Sequence, residues 1–225
     1  MVEEEQQERR VVIPSHFLGD ASKYKAGKDT FEENGKIYAS RLGFLSQHAD
    51  YLNVIPLTGV YDPVPDDMVI GIVEDVSQSI WLVDINAPYP AVLHVNEVPW
   101  RVDFGETTKY LNYGDTVLAK ILTVDETKKI QITLNDGNLH KLSGGQLIEI
   151  EPIKVPRVIG KKGSMISMLK RYTNCRIFIG QNGRIWIDGK TDAVARLTLV
   201  IRKIEAEAHI KGLTDRVTKL LKEKA

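Results

Sequence analysis

The sequence predicts a multidomain protein that is mostly β at first and α+β towards its end. Three observations lead to this fold class. Short β-branched runs separated by turn residues fill residues 11–134, which is typical of small β domains. The proline-punctuated stretch 61–67 indicates a linker between two of them. From residue 146 onward, strand patterns alternate with apolar residues at helical spacing, which indicates an α+β unit.

The distribution of charge separates the two ends of the chain. Its 225 residues leave room for two or three small domains. The formal net charge is zero, but residues 152–225 contain 17 Lys/Arg and 6 Asp/Glu, whereas residues 1–151 contain 13 and 24. A basic carboxy-terminal part suits nucleic-acid binding. The acidic remainder must contact other partners or use local basic patches.

Cysteine and hydropathy exclude several classes of protein. The one cysteine, Cys175, rules out an internal disulfide framework and a cysteine-rich zinc site within the chain, and we expect it to be a small buried apolar group. The five histidines are scattered, so we expect no cofactor, no metal and no catalytic residue. No run approaches the roughly eighteen apolar residues of a membrane span. The acidic amino terminus does not resemble a signal peptide, and a cytoplasmic location without membrane contact is expected.

The amino-terminal unit, residues 1–62, is predicted to be β-rich. Residues 1–10 are rich in glutamate and glutamine and are predicted to be disordered. Strands are expected at Val11–Ile13 and Tyr51–Leu57, and Asn34-Gly35 indicates a hairpin with a type I′ turn. Few large apolar residues occur here, so this unit should pack against a neighbour or a partner protein. We expect a protein-docking domain.

Residues 63–140 are predicted to form a five-stranded OB-type barrel. Turn residues separate five short strand patterns, as expected for this architecture. The unit is acidic, with 12 Asp/Glu against 5 Lys/Arg over residues 63–136. The five predicted strands are Val69–Asp75, Ile80–Asn86, Ala91–Val95, Thr116–Asp125 and Lys129–Leu134.

The stretch Val158–Gly163, with the sequence V-I-G-K-K-G, carries the strongest functional signal. Gly160 and Gly163 bracket Lys161 and Lys162, and helical spacing of apolar residues begins at Ser164. Glycines allow the backbone to approach a ligand closely, and the amides at a helix amino terminus attract anions. Two lysines add formal charge, so a phosphate of a single-stranded nucleic acid is the favoured ligand. A G-x-x-G motif alone is weak evidence, because many helix-entry turns contain two glycines.

The surrounding elements strengthen this interpretation. A strand at Gln146–Ile150 precedes the loop and helix, and Arg176–Ile179 and Arg184–Ile187 then form a hairpin. A long helix starting at Thr191 follows, with an apolar face. In this context V-I-G-K-K-G-S-M-I resembles the signature of a KH domain, predicted here at residues 141–212. The resemblance implies that Gly160, Lys161, Lys162 and Gly163, with the neighbouring Arg157, clamp the backbone of about four nucleotides of single-stranded RNA.

The barrel resembles the RNA-binding OB fold named after the first protein of the small ribosomal subunit. His94 and Asp125 match positions that commonly face RNA in that family, and Lys129 stands where arginine is frequent. Arg101 and Lys109, on the long loop between strands three and four, are further candidate backbone contacts. For His94, Arg101 and Lys109 a purely structural or solvated role is the alternative.

Aromatic residues in the barrel are a second possible source of RNA affinity. Trp81, Tyr89 and Trp100 could stack on bases. The interpretation that we favour places Trp81 in the core and Trp100 at a domain interface. After the KH unit, residues 213–225 are predicted to form a short amphipathic helix.

The order of the domains, with the hairpin motif at residues 33–38, resembles the RNA-binding cap subunits of the archaeal RNA exosome. That family implies three copies seated on a ring of RNase PH-like subunits, guiding single-stranded RNA into the ring for 3′-to-5′ degradation without being enzymes themselves. A stand-alone KH/OB factor of transcription or translation is the main alternative. An RNA-cleaving enzyme with an unrecognised site is a weaker one.

Overall fold

The computed structural model describes residues 10–208, 210 and 212–222. The chain divides into two compact units, one ending at Gly59 and one beginning at Val60. Nine of the ten amino-terminal residues predicted to be disordered, residues 1–9, lie outside the described residues.

The first unit consists of two small sheets. In one sheet the strands follow the order β1-β6-β7-β3, and in the other β2-β5-β4. Strands β1 and β7 and the β4–β5 hairpin were predicted from the sequence, whereas β2, β3 and β6 were not. The bounds are β1 Val11–Val12, β2 Phe17–Asp20, β3 Lys25–Ala26, β4 Thr30–Glu33, β5 Lys36–Ala39, β6 Gly43–His48 and β7 Tyr51–Pro56.

The core of the first unit is small. Its central cluster contains Val12, Ala39 and Val54, with Leu18 and Leu45 packed against them. The β4–β5 turn has positive φ at both Asn34 (51°) and Gly35 (73°), as a type I′ turn requires. This confirms the predicted hairpin.

In the second unit the barrel has the five predicted strands and one more. The strands are β8 Met68–Val76, β9 Ile80–Asp84, β10 Ala91–His94, β11 Thr116–Val124, β12 Ile130–Thr133 and β13 His140–Leu142. Their order is β12-β10-β9-β8-β11-β13, and pairing of β12 with β11 closes the barrel. The additional strand, β13, pairs with the first half of β11. The acidic unit is therefore a closed five-stranded barrel, as predicted.

Buried side chains of the strands form the barrel core, and burial alternates most clearly along β9. In β9, Trp81 and Val83 are fully buried while their neighbours are half-buried. Gly71 of β8 faces this layer, and a Cβ at that position would lie 2.3 Å from the Cγ1 atom of Val83. The core also includes Tyr61, so it extends into the segment that was predicted as a linker.

The carboxy-terminal half of the second unit has the order of elements expected for a KH domain. Its three-stranded sheet has the order β14-β16-β15, and all its pairings are antiparallel. The bounds are β14 Gln146–Glu149, α1 Val155–Ile159, α2 Ser164–Thr173, β15 Arg176–Ile179, β16 Arg184–Asp188, α3 Thr191–Ala206 and α4 Leu213–Lys222.

The helices of this half pack their apolar faces on the sheet. Five residues of α3 are buried, at the positions predicted from helical spacing: Val194, Leu197, Val200, Ile201 and Ile204. Cys175 is buried in the same cluster, as expected, and Leu213, Val217 and Leu221 attach α4 to it. The domain boundaries predicted from the sequence, after residues 62, 140 and 212, remain predictions.

No helix in the described part of the chain is both long and apolar enough to cross a membrane.

Candidate nucleic-acid interface

The loop between α1 and α2 has a backbone that requires its glycines. Gly160 ends α1 with φ 75° and ψ 169°, and a Cβ there would lie 2.7 Å from both the backbone nitrogen and the Cβ of Met165. Gly163 precedes α2 in the left-handed conformation, with φ 76°. Between them Lys162 also has positive φ, at 52°, which is uncommon for a non-glycine residue and costs free energy. The loop therefore forms a sharp turn in which a side chain at position 160 would clash with Met165.

This shape presents positive charge and free amides together. Lys161 and Lys162 are both exposed. No side chain caps the amino terminus of α2. The Ser164 amide donates to the backbone oxygen of Lys161, and the next amides of the first turn lack an intrahelical acceptor and can bind an anion. The positive end of the dipole of this ten-residue helix lies at the same place. The arrangement suits a phosphate.

The sequence around the loop contains only positive formal charge. Residues 152–187 include eight Lys/Arg and no Asp/Glu. Lys170 and Arg171 are exposed on α2, immediately after the loop. A phosphate chain crossing the loop and α2 would meet these cations, whereas Lys154, Arg176 and Arg184 elsewhere in the segment are paired with carboxylates.

Arg157, a candidate RNA contact, also has a structural role. Its side chain is exposed, and its Nε donates a hydrogen bond of 2.6 Å to the backbone oxygen of Ala208. The guanidinium therefore ties α1 to the segment after α3. Its other nitrogens have no partner among the described residues, so it can still contact a phosphate.

The structure places the barrel candidates at two opposite ends of the barrel. Strands β10 and β12 are parallel, with Ala91 opposite Ile130, so Lys129 lies at their beginning and His94 at the end of β10. The separation is about four residues, or roughly 13 Å along the strands. His94, Arg101 and Lys109 share one end, because the loop that carries Arg101 and Lys109 is bonded to the β8–β9 turn at Ser77 and Gln78.

Local contacts occupy His94 and Lys109. The His94 Nδ1 atom accepts a hydrogen bond of 3.2 Å from the amide of Asn96 and so caps the short 3-10 helix Val95–Glu97. The Lys109 ammonium lies 2.5 Å from the Glu106 carboxylate, and this hydrogen bond raises the pKa of Lys109. Arg101 remains the most available of the three, since its side chain is 93% exposed and lies 3.7 Å from Asp103.

Asp125 holds the turn in which Lys129 lies. Its carboxylate accepts hydrogen bonds of 2.7 Å from the Thr127 hydroxyl and 2.8 Å from the amide of Lys129. These bonds lower the pKa of Asp125, with the Thr127 hydroxyl contributing most. The carboxylate thus organises a tight turn that exposes Lys128 and Lys129.

The three barrel aromatics have different environments. Trp81 is fully buried, as predicted, and its Nε1 donates to the backbone oxygen of Leu111 at 3.1 Å. Trp100 stacks on Tyr110 of its own domain, with ring centroids 5.7 Å apart, and its place at a domain interface remains a prediction. Tyr89 is 57% exposed, so of the three it has the ring most available to a base.

The contact between the barrel and the KH half was missed by the sequence analysis. The β15–β16 turn was predicted only as a hairpin, but its Asn182 is fully buried and its side chain bonds to the backbone of Ile70 and Ile85 at 2.8–3.3 Å. The adjacent Arg184 is also buried and contacts the carboxylates of Asp84 and Glu149. The sequence does contain one signal for this contact, because the charged Arg184 stands at the start of the otherwise apolar run R-I-W-I. These bonds hold the two RNA-binding candidates in one compact unit.

The described part of the chain contains no candidate metal-binding cluster. No group of three or more His, Cys, Asp or Glu side chains there is placed to hold a metal ion.

Comparison with known families assigns all three parts of the chain. The model of the Exosome complex exonuclease RRP4 N-terminal region matches residues 11–48. The S1 RNA binding domain matches residues 62–135, and the KH domain matches residues 145–193. The barrel and the α+β half are thus similar to two RNA-binding families, as the sequence analysis predicted.

Curated relatives match over nearly the whole length. The exosome complex component Rrp4 of Methanosarcina mazei is 52% identical over 215 residues, which cover 96% of this chain and 82% of that protein. The same component of Thermoplasma volcanium is 45% identical, covering 92% of each chain, and that of Methanothermus fervidus is 46% identical, covering 95% and 96%.

A solved structure agrees with these relatives. A crystal structure described as an exosome complex RNA-binding protein is 37% identical and superposes with a TM-score of 0.68, covering 74% of this chain and 97% of that one. The identity and the coverage place the chain in one family: it belongs to the family of the exosome complex component Rrp4.

Proposed function

We propose that this protein is a non-catalytic RNA-binding subunit of the exosome, which captures single-stranded RNA and guides it to a ring of RNase PH-like subunits for 3′-to-5′ degradation. The expected location is the cytoplasm. The observation that carries the proposal is the loop Gly160–Gly163, where two exposed lysines lie at an uncapped helix amino terminus. Lysines and amides of this kind bind phosphates.

The barrel supplies a second, weaker RNA surface in this proposal. Arg101 and Lys129 are its most available cations, at opposite ends. His94 and Lys109 have local partners that they would have to share with RNA. Since Asn182 and Arg184 join the barrel to the KH half, an RNA strand would meet both surfaces in a fixed arrangement.

The first unit supports the docking part of the proposal with exposed apolar rows. Val11, Phe44 and Ile55 are neighbours across β1, β6 and β7, and Val11 and Ile55 are more than half exposed. On the other sheet the rings of Phe17 and Phe31 flank that of Tyr38 at 6.0 and 5.6 Å. Exposed apolar patches of this kind mark protein interfaces. We assign them to the ring, with three copies of the chain per ring as the family resemblance implies.

Removal of the first unit should therefore abolish ring association but preserve RNA binding. The deletion should end at Gly59, because Tyr61 belongs to the barrel core and donates a 2.7 Å hydrogen bond to Asp67. Co-purification with RNase PH-like subunits and titration with a short RNA measure the two properties. A truncated chain that still assembles with the ring would show that the docking surface lies elsewhere.

Binding to RNA should weaken steeply with salt. For single strands, each neutralised phosphate contributes about −0.7 to the slope of log K against log[salt], and a KH loop clamps about four nucleotides. The full chain should therefore give a slope near −3. A slope close to zero would mean that stacking, rather than the basic KH surface, dominates.

The main alternative, a stand-alone RNA-binding factor, predicts the same RNA affinity without the ring. Affinity purification of the tagged full-length protein from its native extract separates the two functions. We expect RNase PH-like subunits in stoichiometric amounts. Recovery of ribosomes or RNA polymerase without these subunits would favour the alternative. Purified protein incubated with labelled RNA, phosphate and magnesium tests catalysis directly, and we expect the RNA to remain intact.

A further inference from the structure

A shallow groove on the barrel is lined by none of the residues assigned to RNA binding above. It lies where the segment after Val60 passes the β9–β10 loop and the β11–β12 turn. Mostly apolar side chains line it, and Lys128 and Asp62 are the charged ones. The lining residues are Asp62, Pro63, Pro88, Tyr89, Val124, Lys128 and Ile130.

Strand register brings the aromatic ring and the lysines together. Ala91 of β10 lies opposite Ile130 of β12 in the parallel pair. Tyr89 and Lys128 each precede these partners by two residues, so they occupy the same level at the beginning of the two strands. The Asp125 hydrogen bonds fix the turn, with Lys128 held at φ 63°. One side of the groove is thus held by the hydrogen bonds of its own turn.

We propose that this groove is a subsite for one unpaired base of single-stranded RNA. The base stacks on the ring of Tyr89 between the prolines, and Lys128 and Lys129 contact the flanking phosphates. This inference rests on the proposed function and adds a named base-binding position to it. It also assigns the stacking role, considered for three aromatics, to Tyr89 alone.

Three features favour a base over other occupants. A flat apolar ring matches a groove bounded by one aromatic and two proline side chains. Lys128 is only weakly engaged, since its ammonium lies 3.9 Å from the Asp62 carboxylate and both side chains are more than 60% exposed. Lys129 forms no ion pair with any residue that the structure describes, so both ammonium groups can turn to phosphates.

The charges at the rim also predict how the subsite behaves. Three carboxylates, those of Asp62, Asp125 and Glu126, oppose the ammonium groups of Lys128 and Lys129, so the local net charge is about −1. The part of the affinity that depends on the Tyr89 ring should therefore come from stacking. That part should change little with salt, in contrast to the contribution of the Gly160–Gly163 loop.

The test compares Tyr89→Ala and Tyr89→Phe in the full chain, with two RNA probes. One probe is an adenosine 12-mer, and the other is an abasic 12-mer that has the same phosphates but no bases. Loss of one stacked base corresponds to about 5- to 150-fold in affinity. We expect Tyr89→Ala to lose this factor for the adenosine 12-mer at both low and high salt. Tyr89→Phe should retain the parent affinity, and the abasic probe should not distinguish the variants.

A matched control is Tyr113→Ala, which removes another tyrosine of the barrel that is 80% exposed and lies outside the groove. It should bind the adenosine 12-mer like the parent. Unchanged binding of Tyr89→Ala, or an equal loss with the abasic probe, would overturn the base-stacking assignment while leaving the proposed function intact. If instead the parent fails to bind the adenosine 12-mer, the proposed function itself is wrong.

Discussion

Replacing Lys161 and Lys162 with aspartate should lower the affinity of the full chain for single-stranded RNA by at least tenfold. The double substitution changes the charge at the loop by four units. A phosphate would then meet two carboxylates in place of two ammonium groups, and like charges at a close contact cost several kcal/mol. Each 1.4 kcal/mol corresponds to about tenfold in affinity. Titration of parent and variant with the same short RNA measures the loss.

The fold should survive this change, because both glycines remain. Gly160 and Gly163 keep their positive φ angles, aspartate tolerates the positive φ of position 162, and the two lysines are exposed. Circular dichroism and thermal unfolding should therefore match those of the parent. Lys23→Asp with Lys28→Asp, at two exposed lysines of the first unit, makes the same change in net charge. If this control loses as much affinity, the effect reflects overall charge rather than the loop.

Within an assembled ring the loss should be smaller than in the isolated chain. Several copies would hold one RNA strand at once, and each retains its barrel surface. Multivalent attachment compensates for a weakened single contact. Comparing the variant free and in the complex therefore measures how far the barrel contributes.

The parts of this fold that depend on local pattern could be predicted from the sequence. The strands of the barrel are short β-branched runs between turn residues, and α3 repeats its apolar residues at helical spacing, so both were predicted within two residues. The strands β2, β3 and β6 were missed because they lack such a signal. The only large apolar residues of Phe17–Asp20 are Phe17 and Leu18, and Lys25–Ala26 has none. Both are edge strands of their sheets, and tertiary pairing decides their conformation.

The candidate site also has a part that local residues predict and a part that only the structure shows. The shape of the Gly160–Gly163 loop follows from its own residues, and the structure agrees with the sequence there. The barrel candidates were chosen by position in a family pattern, which does not show that His94 caps a short helix or that Asp125 holds a turn. Tyr89 was considered, but its groove depends on Pro63 and Lys128, which are 26 and 39 residues away in the chain. Contacts of that range require the structure.

The buried cation Arg184 should have the largest effect on stability of the residues at the barrel–KH contact. Its side chain is 5% exposed and contacts the carboxylates of Asp84 and Glu149. It also donates a 2.6 Å hydrogen bond to the backbone oxygen of Asp84. Arg184→Ala removes all of these bonds and leaves two carboxylates facing each other. Breaking a buried ion pair costs about 3–5 kcal/mol, and because the Asp84 and Glu149 side chains are 30% and 55% exposed, we expect about 2–4 kcal/mol here.

Such a loss should lower the midpoint of thermal unfolding by about 5–15 °C for a chain of this length. Two further variants rank the contacts. Asp84→Asn should cost less than Arg184→Ala, because the backbone oxygen and Glu149 still hold the guanidinium. Glu149→Gln should cost least, since this carboxylate is the more exposed partner. At temperatures where it remains folded, Arg184→Ala should keep an intact Gly160–Gly163 loop and bind short RNA. A midpoint within about 2 °C of the parent, corresponding to less than about 1 kcal/mol, would show that the ion pairs contribute little and that Asn182 and the apolar contacts join the two halves.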